Sequence, residues 1–143
     1  YDIRILGYKY HMNNITAAIG LGNLEEFPGR LERRRRIAAT YRERLSNVPG
    51  FELLDFQEDR RHAYWLFTVM VDRREDFVRA MAERGIQTSV VDLRIDRNTI
   101  FGGMRDDLSG QAYFNERQIS IPIHAGLSDE NVENIVEAVR SGW

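Results

Sequence analysis

A chain of 143 residues is long enough for one compact domain, and 43% hydrophobic with 29% charged residues is an ordinary globular composition. No apolar stretch approaches the ~18 residues that a membrane helix requires, a net charge of −2 argues against a nucleic-acid partner, and the lack of cysteine excludes disulfides, thiolate metal sites and cysteine nucleophiles. The chain starts at Tyr1 on an already patterned segment and is expected to be a piece of a longer protein, its lack of cysteine fitting a reducing cytoplasm.

In chain order, the first element is a helix over residues 15–27, with Asn13 or Asn14 as its N-cap and Ala17, Ala18, Gly20 and Gly22 giving it a smooth surface. Pro28 opens a second helix to about residue 47, on which Leu31, Ala38, Tyr41 and Leu45 form an apolar stripe; Val48-Pro49-Gly50 ends it. Residues 51–54 form a short strand. Residues 64–71 form a stronger one, with Trp65, Phe67, Val69 and Val71 on one side and Tyr64, Leu66, Thr68 and Met70 on the other, so both sides are expected to be covered. A helix over 74–84 turns Phe77, Val78 and Met81 inward and stops at Gly85, and residues 86–91 make the next strand. Residues 92–109 are a long loop carrying Gly102, Gly103 and several charges, and loops of that length are commonly functional. A short helix at 111–117, a strand at 118–121 stopped by Pro122, and a last helix from its cap Ser128 to about residue 140 complete the chain. Val132, Ile135, Val136 and Val139 are the buried stripe of that last helix. Short strands among helices predict an α+β domain, a small mixed or antiparallel sheet with helices packed on one face.

The arginine run at 33–36, with Arg30 just before it, is the main charge cluster. Without interleaved aromatic residues it reads as a solvated or interface-paired helix face rather than a nucleic-acid site. Helical spacing turns Arg33 and Arg36 away from the apolar stripe and puts Arg34 inside it, where an arginine needs a partner. His11, His62 and His124 lack the spacing of a helical metal site, so no metal is expected. No serine has a Gly-x-Ser-x-Gly setting, and Gly102-Gly103 is too short for a dinucleotide or nucleoside-triphosphate loop. Among 20 basic residues Lys9 is the only lysine, so chemistry that needs an amine has one candidate in this chain.

The stretch Gly7-Tyr8-Lys9-Tyr10-His11-Met12-Asn13-Asn14-Ile15, continuing through Ala17-Ala18-Ile19-Gly20-Leu21, resembles a segment of the DegT/DnrJ/StrS sugar aminotransferases. The chain is similar to that family over essentially its whole length: the arginine-rich helix, Tyr64-Trp65-Leu66-Phe67, Gly85-Ile86-Gln87-Thr88, and the closing Ile121-Pro122-Ile123-His124-Ala125-Gly126-Leu127-Ser128. The resemblance implies that residues 1–143 are a single domain, the small C-terminal domain of the type I aminotransferase fold. The large N-terminal domain, which holds pyridoxal phosphate on a lysine, is absent here, and the family's active sites lie between the subunits of a homodimer. The resemblance also implies an intact enzyme that moves an amino group, from a donor such as glutamate, to a keto-sugar linked to a nucleotide. Because the cofactor lysine belongs to a motif upstream of Gly7, the chain alone is expected to be inactive and to bind no pyridoxal phosphate. Its uncovered apolar faces are expected to make it self-associate.

Lys9 matches the family position that reaches across the dimer toward the cofactor phosphate, a fitting partner for an ammonium. His11, two residues on, is implied to face the substrate pocket. Residues 90–103 resemble the His-x-Arg-Asn-Asp segment of members that act on nucleotide-linked deoxysugars, such as perosamine-type synthases. Arg94 and Asp96 match, while Asp92 stands at the histidine position and Ile95 at the asparagine position. The resemblance implies that Arg94 pairs with a substrate phosphate and that Asp96 orients it or accepts a sugar hydroxyl, with Asp92 beside them. Two other readings stay open: a non-enzymatic binding or dimerisation module of the same fold, and a sugar dehydratase of the family in which histidine replaces the cofactor lysine.

Overall fold

The computed structural model describes residues 10–57 and 59–143, so Lys9 lies outside the described residues. Asn13 caps the first helix, α1 (Asn14–Leu45), its side-chain oxygen accepting from the Thr16 amide at 2.9 Å and the Thr16 hydroxyl at 3.0 Å. Where the sequence predicts two helices, α1 runs unbroken for 32 residues with Pro28 inside it. Proline's fixed φ is itself helical, so the ring forfeits one amide donor and crowds one carbonyl without forcing the chain to turn. The two halves of α1 have different surroundings: Ile37, Ala38, Tyr41 and Leu45 are buried, whereas Ile15, Ile19, Leu24 and Phe27 are exposed.

Three strands, β1 (Phe51–Leu53), β2 (Phe67–Val71) and β3 (Gln118–Ile121), form an antiparallel sheet in that order. The register sets Phe51 opposite Val71, Val69 opposite Ile119, and Phe67 opposite Ile121, so these apolar side chains share one face. The C-terminal half of α1, α2 (Arg74–Glu83) and α4 (Asp129–Arg140) add Tyr41, Leu45, Phe77, Met81, Ile135, Val136 and Val139 to one core. Tyr41 meets Phe67 edge to face at 5.1 Å, and its hydroxyl donates to the Pro122 carbonyl at 2.9 Å; burial pushes the phenol well above its ordinary pKa. The expected α+β architecture is thus present, with the apolar sheet face turned to helices.

Several local expectations fail, each for a physical reason. Residues 64–66 are outside β2, because Tyr64 has φ +50° and its polar backbone is engaged elsewhere. Its amide donates to His62 Nδ1 at 2.8 Å and its carbonyl accepts from Arg34 Nη1 at 3.4 Å. Trp65 is consequently 70% exposed instead of packed beside Phe67. Residues 86–91 contribute only a bridge from Ser89 to Ser120. On α2, Phe77 and Met81 point inward but Val78 is exposed; the helix stops as expected at Gly85, whose φ of +73° lets the Ile86 amide reach back to the Met81 carbonyl at 2.9 Å.

The arginine run is a set of clamps. Arg33 is half-buried and paired rather than free on the surface: it donates to the Leu127 carbonyl at 2.7 Å and pairs with Asp129 at 2.6 Å, tying α1 to the start of α4. Arg34, half-buried, finds its partner in the Tyr64 carbonyl, and Arg35 holds the His62 carbonyl at 3.1 Å. Arg36 alone of the four is exposed.

Candidate functional site

The second face of the sheet carries Glu52, Thr68, Met70, Gln118 and Ser120, and it is polar along β3. Thr68 and Ser120 share a hydroxyl hydrogen bond of 3.0 Å, and Gln118 is 2% exposed. Against the start of β3 lies the loop of residues 92–108, which contains two short 3-10 turns, Ile95–Arg97 and Thr99–Phe101, and leads into α3 (Ser109–Arg117).

This loop turns one pair of its charges inward and leaves Asp92, Arg97, Arg105, Asp106 and Asp107 exposed. Arg94 and Asp96 form a bidentate pair, Nε to Oδ1 at 2.7 Å and Nη2 to Oδ2 at 2.5 Å, and both residues are buried. The same Nη2 donates to the Arg105 carbonyl at 3.0 Å, and the Arg105 amide donates back to Asp96 Oδ2 at 3.1 Å. The two ends of the loop are thereby tied across the ion pair. Leu93, Ile95, Ile100, Phe101 and Met104 are exposed, so the apolar side chains form the exterior.

Two of the expected site residues, Arg94 and Asp96, are therefore brought together, and they bind each other. Among the described residues Arg94 Nη1 donates to nothing. Asp92 has an exposed side chain, and its carbonyl accepts from Gln118 Nε2, which joins it to the same network. His11 lies exposed before α1, and no hydrogen bond or ion pair among the described residues links it to the loop. Lys9 falls outside the described residues. Sequence reasoning missed Asn115, whose Oδ1 accepts from the Arg94 amide at 3.3 Å, and Gln118. The one local signal for Gln118 is a side-chain amide at the head of a short strand in which Ile119 and Ile121 alternate with polar residues.

The Arg94 guanidinium holds the Asp96 carboxyl down, from an ordinary value of 3.8 to about 2, with help from the Arg105 amide and opposed by burial. A carboxylate whose pKa is depressed by folding contributes stability that is fully present above pH 3.8 and lost as the pH falls through about 2. The Arg105 amide resonance should therefore titrate with a midpoint near pH 2 in an NMR acid titration, whereas a midpoint near 3.8 would show the pair to be absent in solution.

Two open hollows lie away from this loop. One, of about 1100 Å³, is bounded by Ile86, Thr88, Pro122, His124 and Asn131; the other, of about 850 Å³, by Phe27, Arg30, Arg34 and Ala125. Trp65 and His124 wall both. Among the described residues there is no cluster of His, Asp and Glu that could hold a metal ion, and no helix is long and apolar enough to cross a membrane.

Comparison with known proteins gives a consistent answer. Residues 1–140 match the DegT/DnrJ/EryC1/StrS aminotransferase family. The chain is 30% identical to the spore coat polysaccharide biosynthesis protein SpsC of Bacillus subtilis, over 98% of this chain and 39% of that protein. It is 31% identical to the dTDP-3-amino-3,6-dideoxy-alpha-D-galactopyranose transaminase of Aneurinibacillus thermoaerophilus, over 97% of this chain and 39% of that protein. The crystal structure of the sugar aminotransferase CalS13 from Micromonospora echinospora superposes with a TM-score of 0.92 at 35% identity, covering all of this chain and 39% of that one. The chain thus spans about two fifths of the length of these relatives.

Proposed function

Because the chain belongs to the DegT/DnrJ/EryC1/StrS aminotransferase family, we propose that it is the C-terminal domain of a longer cytoplasmic enzyme that transfers an amino group, from glutamate, to a nucleotide-linked keto-sugar. The observation that carries this reading is the agreement of nearly the entire chain with about two fifths of the length of sugar aminotransferases, in both sequence and fold. The exposed apolar side chains on the first half of α1 and on the 92–108 loop support it. In the intact protein they meet the remaining domain and the second subunit of a homodimer.

Pyridoxal phosphate, when bound, supplies the electron-withdrawing chemistry that lets an amino group leave one carbon and join another. The donor set of this chain fits a supporting part in holding it. Lys9 is its one amine, and in this reading the Lys9 ammonium neutralises cofactor phosphate while a lysine outside residues 1–143 carries the cofactor itself. His11 and the Asp92 carboxylate face the sugar nucleotide. Arg94 offers its remaining Nη1 edge to a substrate phosphate, and Asp96 keeps the guanidinium oriented for it. The apolar flank of the loop excludes water around the bound nucleotide.

The test is to supply the intact protein and pyridoxal phosphate with glutamate labelled on nitrogen and a nucleotide-linked keto-sugar. The expected result is labelled nitrogen on the sugar and one 2-oxoglutarate formed per amine. A keto-sugar that loses water without taking up the label would make the protein a dehydratase, and an unchanged pair of substrates would leave it a binding module.

A further inference from the structure

We propose that Asn115 and Gln118 are positioning residues that fix the 92–108 loop in the conformation it presents to substrate, a proposal that rests on the reading of that loop as substrate-facing. Both act on its backbone, from beneath.

Helix α3 and strand β3 follow one another without a linker, so that Asn115 and Gln118 stand three residues apart on either side of the junction. Asn115 Oδ1 accepts from the Arg94 amide, and Gln118 Nε2 donates to the Asp92 carbonyl. Two successive anchor points, one an acceptor and one a donor, thus hold alternate residues of the same extended segment. The junction is itself pinned, because Arg74 at the start of α2 donates Nη1 to the Asn115 carbonyl at 2.5 Å and to the Gln118 carbonyl at 3.3 Å. A continuous chain of contacts therefore runs from α2 through the α3–β3 junction to Asp92 and Arg94, and through Asp96 to Arg105 at the far end of the loop.

The need for such anchors comes from the way the loop is folded. Ile95, 68% exposed, lies between Arg94 and Asp96, which are 5% and 7% exposed. Burying the ion pair while turning the apolar side chains out reverses the arrangement that the hydrophobic effect favours, so the loop has no apolar packing of its own to order it. Hydrogen bonds to a rigid element substitute for that packing. A buried amide such as Gln118 also makes the register specific, since a slipped loop would leave it unsatisfied.

The test uses Asn115→Leu and Gln118→Met, which keep the volume but remove the acceptor and the donor, with Asn115→Asp as the conservative variant that retains an acceptor. Trypsin can cut after Arg97 and Arg105, both exposed. In the full chain, cutting at these sites should quicken about tenfold for Asn115→Leu and Gln118→Met and stay near the parent rate for Asn115→Asp, with the urea midpoint of global unfolding little changed. In the intact enzyme the same two variants should raise KM for the nucleotide sugar about tenfold and leave kcat within about twofold, the pattern expected when binding remote from the reacting atoms is lost. If Gln118→Met unfolds the domain, Asn115→Leu decides alone, because Asn115 is only half-buried. Unchanged cutting in a folded Asn115→Leu chain, or cutting as fast in Asn115→Asp as in Asn115→Leu, overturns the proposal. Faster cutting in a protein that transfers no amino group upholds the anchors and removes the functional reading alone.

Discussion

Phe77→Ala is expected to destabilise the domain by about 3–5 kcal/mol, seen as a lowered midpoint in urea unfolding with an unchanged slope. The side chain is fully buried at the place where α2, β1 and the end of the chain meet, tilted against Phe51 at 6.3 Å and edge to face with Trp143 at 4.9 Å. Trp143 cannot collapse into the resulting cavity without giving up the bond from its indole nitrogen to the Asp72 carbonyl at 2.6 Å, so the void stays largely open. Native domains are stable by about 5–15 kcal/mol, so this one substitution removes about a fifth or more of the total. Val78→Ala, one residue on and exposed, should change stability by less than about 0.5 kcal/mol. Equal effects from the two variants would mean that α2 packs through a different face.

Lys9→Ala in the intact protein is expected to weaken retention of pyridoxal phosphate by about 10- to 100-fold, the range for losing one charge-assisted contact to a phosphate. Lys9→Arg should recover part of the loss, since it keeps the charge but changes the shape of the donor. The effect should appear in cofactor dissociation measured by absorbance, while the thermal stability of the cofactor-free protein stays the same. Unaltered retention would return Lys9 to an ordinary surface lysine.

The elements that could be read from the sequence are those whose determinants are local. Asn13 and Ser128 cap helices with their own side chains, Gly85 ends α2 through its backbone freedom, and the stripe on α4 comes from helical period alone. The failures depend on partners distant in sequence. An apolar run that begins at Tyr64 has the pattern of a strand, but His62 and Arg34 occupy the polar backbone of Tyr64 before any neighbouring strand can. Pro28 resembles a helix start, and nothing in its neighbourhood says that the residues on both sides belong to one helix. Arg94 and Asp96 are legible through the resemblance, as the two residues of the loop that match the family segment. That they meet each other depends on a tight turn over residues 95–97 and on the return of the chain at Arg105, neither of which has a sequence signature. Asn115 and Gln118 were invisible for the same reason, since a side-chain amide shows its use only once its partners are placed.

In the proposed reading these residues are one domain of a cofactor enzyme whose catalytic lysine lies elsewhere in the polypeptide. Borohydride reduction of the intact protein loaded with pyridoxal phosphate fixes the cofactor to the lysine that holds it, and peptide mapping then identifies that lysine. A single labelled lysine outside residues 1–143 is expected, with Lys9 unmodified. Label on Lys9, or a protein that takes up no cofactor, would contradict it.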